Sequence, residues 1–91
     1  MNQEIKKKWV EALLSGKYKQ GFGALCWQGK YCCLGVLREV AGGSVGNSQA
    51  LGFDTLEAAE ITDGQQAEFS VLNDADRVPF DMIAGLIDEA L

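Results

Sequence analysis

Apolar residues recur near the start of the chain at Ile5, Trp9, Val10, Leu13 and Leu14, a spacing that places them on one face of a helix. Lys6, Lys7 and Lys8 fill the polar side. Asn2 is placed to cap the start and Gly16 to end it, so the pattern predicts an amphipathic helix from Asn2 or Gln3 to Ser15. The period then changes. Ala24 to Trp27 and Lys30 to Cys33 are short runs of aromatic and β-compatible residues, parted by Gln28-Gly29. Two residues ending in Gly between such runs predict a hairpin, because Gly accepts the positive φ of a tight turn. Lys17 to Gln20 leads into it, and Gly21 and Gly23 around Phe22 predict a bend or a close backbone approach.

From Cys33 helical spacing returns. Leu34, Leu37 and Ala41, with Val36 and Val40 beside them, predict a buried helix of about two turns running to Gly42-Gly43. Ser44 to Ala50 reads as a loop, Leu51-Gly52-Phe53 as a short strand, and Leu56 to Ile61 fits helix or extended chain. Thr62-Asp63-Gly64 is a turn or an N-cap before a short helix carrying Ala67, Phe69, Val71 and Leu72 and ending near Asn73. Pro79 at a helix start, with Asp81 in the first turn, opens the last helix. Phe80, Ile83, Ala84, Ile87 and Leu91 give that helix a buried face. The expected fold is α+β: one small domain over residues 1–91, with three or four helices packed on a short antiparallel hairpin, with or without a third strand.

Composition narrows this picture. A chain of 91 residues makes one domain near the lower limit for a self-sufficient core, so association into a homo-oligomer would add stability. Hydrophobic content of 47% against 23% charged residues argues against disorder. No apolar run approaches the roughly 20 residues a membrane helix needs, and no cleavage signal follows the lysines near the N-terminus. Three cysteines, two of them adjacent, do not describe an extracellular disulfide framework and point to a reducing, cytoplasmic setting. The net charge of −5 is uneven: residues 1–41 hold seven Lys/Arg and three Asp/Glu, while residues 42–91 hold one and ten. Ordinary solvated surface, a basic anion site and an acidic docking face all fit that asymmetry.

Enzyme chemistry finds little support. The chain has no histidine, which removes the commonest general base and the usual triads and zinc sites. Cys26, Cys32 and Cys33 lack Cys-x-x-Cys spacing and read as small buried hydrophobes, with Lys30 the only adjacent residue able to activate a thiol. Asn73-Asp74-Ala75-Asp76 lacks the Gly and the distal Glu of a calcium loop, so Asp74 and Asp76 read as turn or capping residues. No cofactor or metal is expected.

Trp9 with Ala12-Leu13, Ser15-Gly16-Lys17-Tyr18-Lys19-Gln20, Leu25 and Tyr31-Cys32-Cys33-Leu34-Gly35-Val36-Leu37 resemble a family of small proteins carried by phages and prophages. Leu72-Asn73-Asp74 and Phe80 with Ile83-Ala84 and Ile87 fit the same pattern, whereas residues 44–61 match no part of it. The resemblance implies a role in phage counter-defence within the host cytoplasm and carries over no functional residues.

Binding is the class the residues favour. Lys17, Lys19, Lys30 and Arg38 cluster in sequence around Tyr18, Phe22, Trp27 and Tyr31. Ammonium groups neutralise phosphate and ring faces stack on bases, so this mixture suits a nucleotide. Gln20 and Gln28 can read base or ribose edges, and the N–H groups of Gly21 and Gly23 can approach phosphate. The candidate site is therefore Lys17, Tyr18, Lys19, Gln20, Phe22, Trp27, Lys30 and Arg38, with Trp27 and Tyr31 as core residues the open alternative. The first expectation is a sponge for a cyclic nucleotide or ADP-ribose derivative. The second is an interaction module whose Asp74, Asp76, Asp81, Asp88 and Glu89 cover a basic surface of a host defence protein. Overall acidity disfavours duplex DNA.

Overall fold

In the computed structural model, residues 1–23, 25–41 and 59–91 are described. Among them lie four helices and three short strands, an α+β arrangement. Helix α1 (Gln3–Leu14) begins where Asn2 Oδ1 accepts a hydrogen bond from the Ile5 N–H at 3.1 Å, and Gly16, at φ +74°, follows its end. Its buried stripe is narrower than the periodicity predicts. Trp9 and Leu13, one turn apart, are buried, while Leu14, about 140° round the helix from Trp9, is exposed.

Strands β1 (Lys19–Gln20), β2 (Cys26–Trp27) and β3 (Lys30–Tyr31) form one sheet in the order β1-β3-β2. The expected hairpin is β2–β3, antiparallel, shorter than the runs that predict it. Gln28 and Gly29 take φ of 51° and 77°, the two positive values of a type I′ turn, whose twist matches the strands it joins. Lys17 to Gln20, expected only to lead in, instead supplies β1, paired parallel with β3. The strand expected at Leu51–Phe53 and the loop expected at Ser44–Ala50 lie outside the described residues.

Helix α2 (Cys33–Ala41) starts directly after the sheet. A Cβ on Gly35 would collide with the Leu25 carbonyl, so this helix lies against the chain entering β2 at a distance only Gly allows. Helix α3 (Asp63–Asp74) opens with a capping box: the Gln65 N–H donates to Thr62 Oγ1 at 3.1 Å and the Thr62 N–H to Gln65 Oε1 at 2.9 Å. Helix α4 (Phe80–Ala90) follows Pro79, which takes the cap position rather than the first helical one.

Trp9 sits in the core. Its indole Nε1 donates to the Cys33 carbonyl at 2.8 Å and its ring meets Phe69 edge-on at 5.6 Å, so its one polar atom is satisfied while the rest stays dry. Leu25, Leu34, Leu37, Ile83 and Ile87 complete the surroundings. The lysine-bearing helix α1 packs on the acidic helix α4, and Lys6 Nζ donates to the Asp88 carbonyl at 3.1 Å. Among the described residues, no helix is long and apolar enough to cross a membrane.

Candidate functional site

The register of the sheet places Lys19 beside Lys30, and Lys30 beside Trp27. Residues paired across neighbouring strands project from the same face. Two ammonium groups and an indole therefore stand in one cross-strand row, all three exposed, with Trp27 at 57%. This answers the question left open for Trp27, which is a surface residue. Tyr31 is half-buried, and its partners in register, Gln20 and Cys26, share the inner face with it. There Tyr18 meets Tyr31 edge-on at 5.1 Å. Burial first, and then the neighbouring Cys26 thiol, raise the Tyr31 phenol above its ordinary value.

Beside the row lies a cleft of about 210 Å³ lined by Gln20, Gly21, Phe22, Trp27, Gln28 and Lys30. Four residues of the sequence-predicted site meet here: Gln20, Phe22, Trp27 and Lys30. Phe22 is 43% exposed, and the Arg77 guanidinium stacks on its ring at 4.7 Å from the centroid. Arg77 was absent from the predicted site. Its signal in the sequence is slight: it is the single cation of residues 42–91. Gly21 closes the floor, where a Cβ would stand 2.7 Å from that of Lys30.

Two polar expectations need correction. The Gly21 N–H is not free for phosphate, because it donates to the Tyr31 carbonyl at 2.7 Å. Gln20 uses its amide Nε2 internally, donating to Asn73 Oδ1 at 3.0 Å and the Val78 carbonyl at 2.7 Å. Asn73, fully buried, also donates to the Gly21 carbonyl at 2.9 Å and accepts from the Cys33 N–H at 3.1 Å. One carboxamide thus ties the end of β1, the start of α2 and the end of α3 together. It sets the geometry of the cleft without facing a ligand.

The other predicted residues are elsewhere. Lys19 stands in the cross-strand row but does not line the cleft. Lys17 and Tyr18 line a separate groove of about 370 Å³ with Lys8, Glu11, Ala12, Ser15 and Val40. Arg38 is buried in α2 at 4% exposure, and among the described residues nothing accepts a hydrogen bond from its Nε or Nη2. It is no part of the exposed row. Three larger grooves among the described residues each contain at least one carboxylate in their lining, which opposes an anionic ligand.

The expectation of buried thiols holds for Cys32 and Cys33 but not for Cys26, which is half-buried because it lies on the short strand β2 at the edge of the sheet. Cys32 and Cys33 are buried, and desolvation pushes both above the usual thiol range, so neither supplies a thiolate at neutral pH. Cys33 Sγ instead donates to the Phe69 carbonyl at 3.5 Å.

No curated protein and no solved structure matches this chain. Residues 1–48, which span α1, the whole sheet and α2, match the family described as Domain of unknown function (DUF8296). That match covers more than half of the 91 residues and includes every strand of the candidate site; the chain belongs to the DUF8296 family.

Proposed function

We propose that this protein binds a small anionic ligand carrying a planar ring, of the nucleotide class, on the outer face of its sheet. The observation that carries this reading is the row Lys19, Lys30 and Trp27. Like charges side by side on paired strands are destabilising, and a phosphate between them turns that repulsion into attraction. The Trp27 face, with Phe22 across the cleft, accepts a base by stacking, and Gln28 and the Phe22-bound Arg77 add donors at its edge.

The ligand is held rather than converted. The chain has no histidine, and among the described residues the lining of the cleft carries neither a carboxylate nor a thiol to act as general base or nucleophile. The resemblance to phage and prophage proteins suggests the setting. A counter-defence protein in the host cytoplasm would sequester a nucleotide-derived immune signal, such as a cyclic nucleotide or an ADP-ribose derivative, by binding it intact.

The test is a thermal-shift screen against mono-, di- and cyclic nucleotides and ADP-ribose derivatives, with mass spectrometry of the ligand recovered after denaturation. A ligand that raises Tm and returns intact supports binding without turnover. A chemically altered ligand would overturn the non-enzymatic reading, and the absence of any shift would overturn the ligand reading.

A further inference from the structure

We infer that α3 and α4 together form a docking groove for a basic amphipathic helix of a partner protein. The inference stands on a different surface from the ligand site and does not depend on it. A groove of about 300 Å³ runs between the two helices, lined by Glu68, Phe69, Leu72, Leu86, Glu89 and Ala90. Its floor is apolar and its rim holds two carboxylates. Leu86 is 40% exposed, and Met82, one turn earlier on the same face of α4, is 60% exposed. The neighbouring face of α4, carrying Ile83, Ala84 and Ile87, is buried in the core, and Met82 and Leu86 form an exposed apolar stripe beside it.

Charge identifies the occupant. Helices α3 and α4 carry six Asp and Glu between them and no Lys or Arg. Lys6 and Lys7 of α1 meet α4 at Asp88, whose carbonyl accepts from Lys6 and whose position is about 200° round the helix from Leu86. An amphipathic helix would lay apolar side chains spaced three or four apart into the groove, while its lysines or arginines reach Glu68 and Glu89. An acidic helix would meet repulsion at both rims, and a ligand without an apolar stripe would leave Leu86 and Met82 wet.

The test uses the intact chain and a synthetic Leu/Lys peptide of about 14 residues with helical amphipathic period. A scrambled peptide of the same composition is the control for nonspecific attraction to an acidic protein. Titration calorimetry and amide chemical shifts should show the periodic peptide binding over α3 and α4 and the scrambled one at least about tenfold more weakly. Leu86→Lys and the double variant Glu68→Lys with Glu89→Lys change exposed positions, and circular dichroism checks that they fold. Each should weaken binding about tenfold or more, while Lys30→Ala on the sheet leaves it unchanged. Equal binding of the two peptides, indifference to these variants, or no binding of the periodic peptide would overturn the inference. So would wild-type self-association abolished by Leu86→Lys, which would make a second copy the occupant.

Discussion

Asn73 accepts a hydrogen bond from Gln20 at 3.0 Å across 53 positions of sequence, and so joins the end of α3 to strand β1. The same side chain holds the Gly21 carbonyl and the Cys33 N–H, so its loss leaves several buried polar groups unsatisfied at once. Asn73→Ala should cost about 2–4 kcal/mol of stability, read as a shift in the urea midpoint. A loss under about 1 kcal/mol would mean that water replaces the carboxamide and that it does not anchor the cleft.

Two glycines in helices should respond in opposite directions. Gly35→Ala drives a methyl group into the Leu25 carbonyl, a backbone atom that cannot rotate away, and should cost about 3 kcal/mol or more. Gly85→Ala, in the interior of α4 with open space around its Cβ position, should stabilise by about 1 kcal/mol. Thermal denaturation of both variants checks the pair, and a stable Gly35→Ala protein would contradict the close approach of α2 to Leu25.

Stability should fall on the alkaline side. Burial raises Cys32 and Cys33 above the ordinary thiol value of 9.0, so the folded state keeps both protons where the unfolded chain begins to release them. The contribution is therefore fully present below pH 9.0 and is lost as pH rises above it. Each thiol adds a downward slope with a ceiling of about 1.4 kcal/mol per pH unit, approached where the unfolded chain has ionised and the folded thiol has not. Cys33→Ala should remove one such slope in urea titrations at alkaline pH, and an unchanged slope would place that thiol in contact with water.

Much of the helical framework was legible in the sequence, because each element carries its own signals. Asn2 and Gly16 bracket α1 within a residue of the expectation, and Thr62 caps α3 as its position suggests. The Gln28-Gly29 turn was readable for the same reason: its demand for positive φ is local. Strand β1 was not, since Lys19-Gln20 has neither β-branched nor aromatic residues and is a strand only by pairing with β3. The site was half readable. Trp27 and Lys30 come together through the hairpin, but Phe22 is brought beside them by the pairing of β1, and Arg77 and Asn73 arrive from about 50 residues away by tertiary packing, which no local pattern announces. Arg38 shows the converse: proximity in sequence to the aromatics did not bring it to their surface, because its turn of α2 is buried.

The paired lysines predict a trade between stability and binding. Lys19→Ala should leave the ligand-free protein unchanged or raise its stability by up to about 0.5 kcal/mol, since a like-charge neighbour is removed. The same variant should bind a nucleotide roughly tenfold more weakly at low salt, with the gap narrowing as ionic strength rises. Calorimetry at two salt concentrations checks both, and equal affinity of variant and wild type would remove Lys19 from the site.

The central claim, that a planar ring seats on Trp27, is tested most directly by tryptophan fluorescence. The chain has two tryptophans, one fully buried at position 9 and one exposed at position 27, so a ligand stacking from solvent meets only the second. Titration with AMP, ADP, cyclic AMP and ADP-ribose should give saturable quenching for at least one of them, and Trp27→Phe should abolish it. Quenching that survives in Trp27→Phe, or none with any of the four up to about millimolar concentration, would contradict the site.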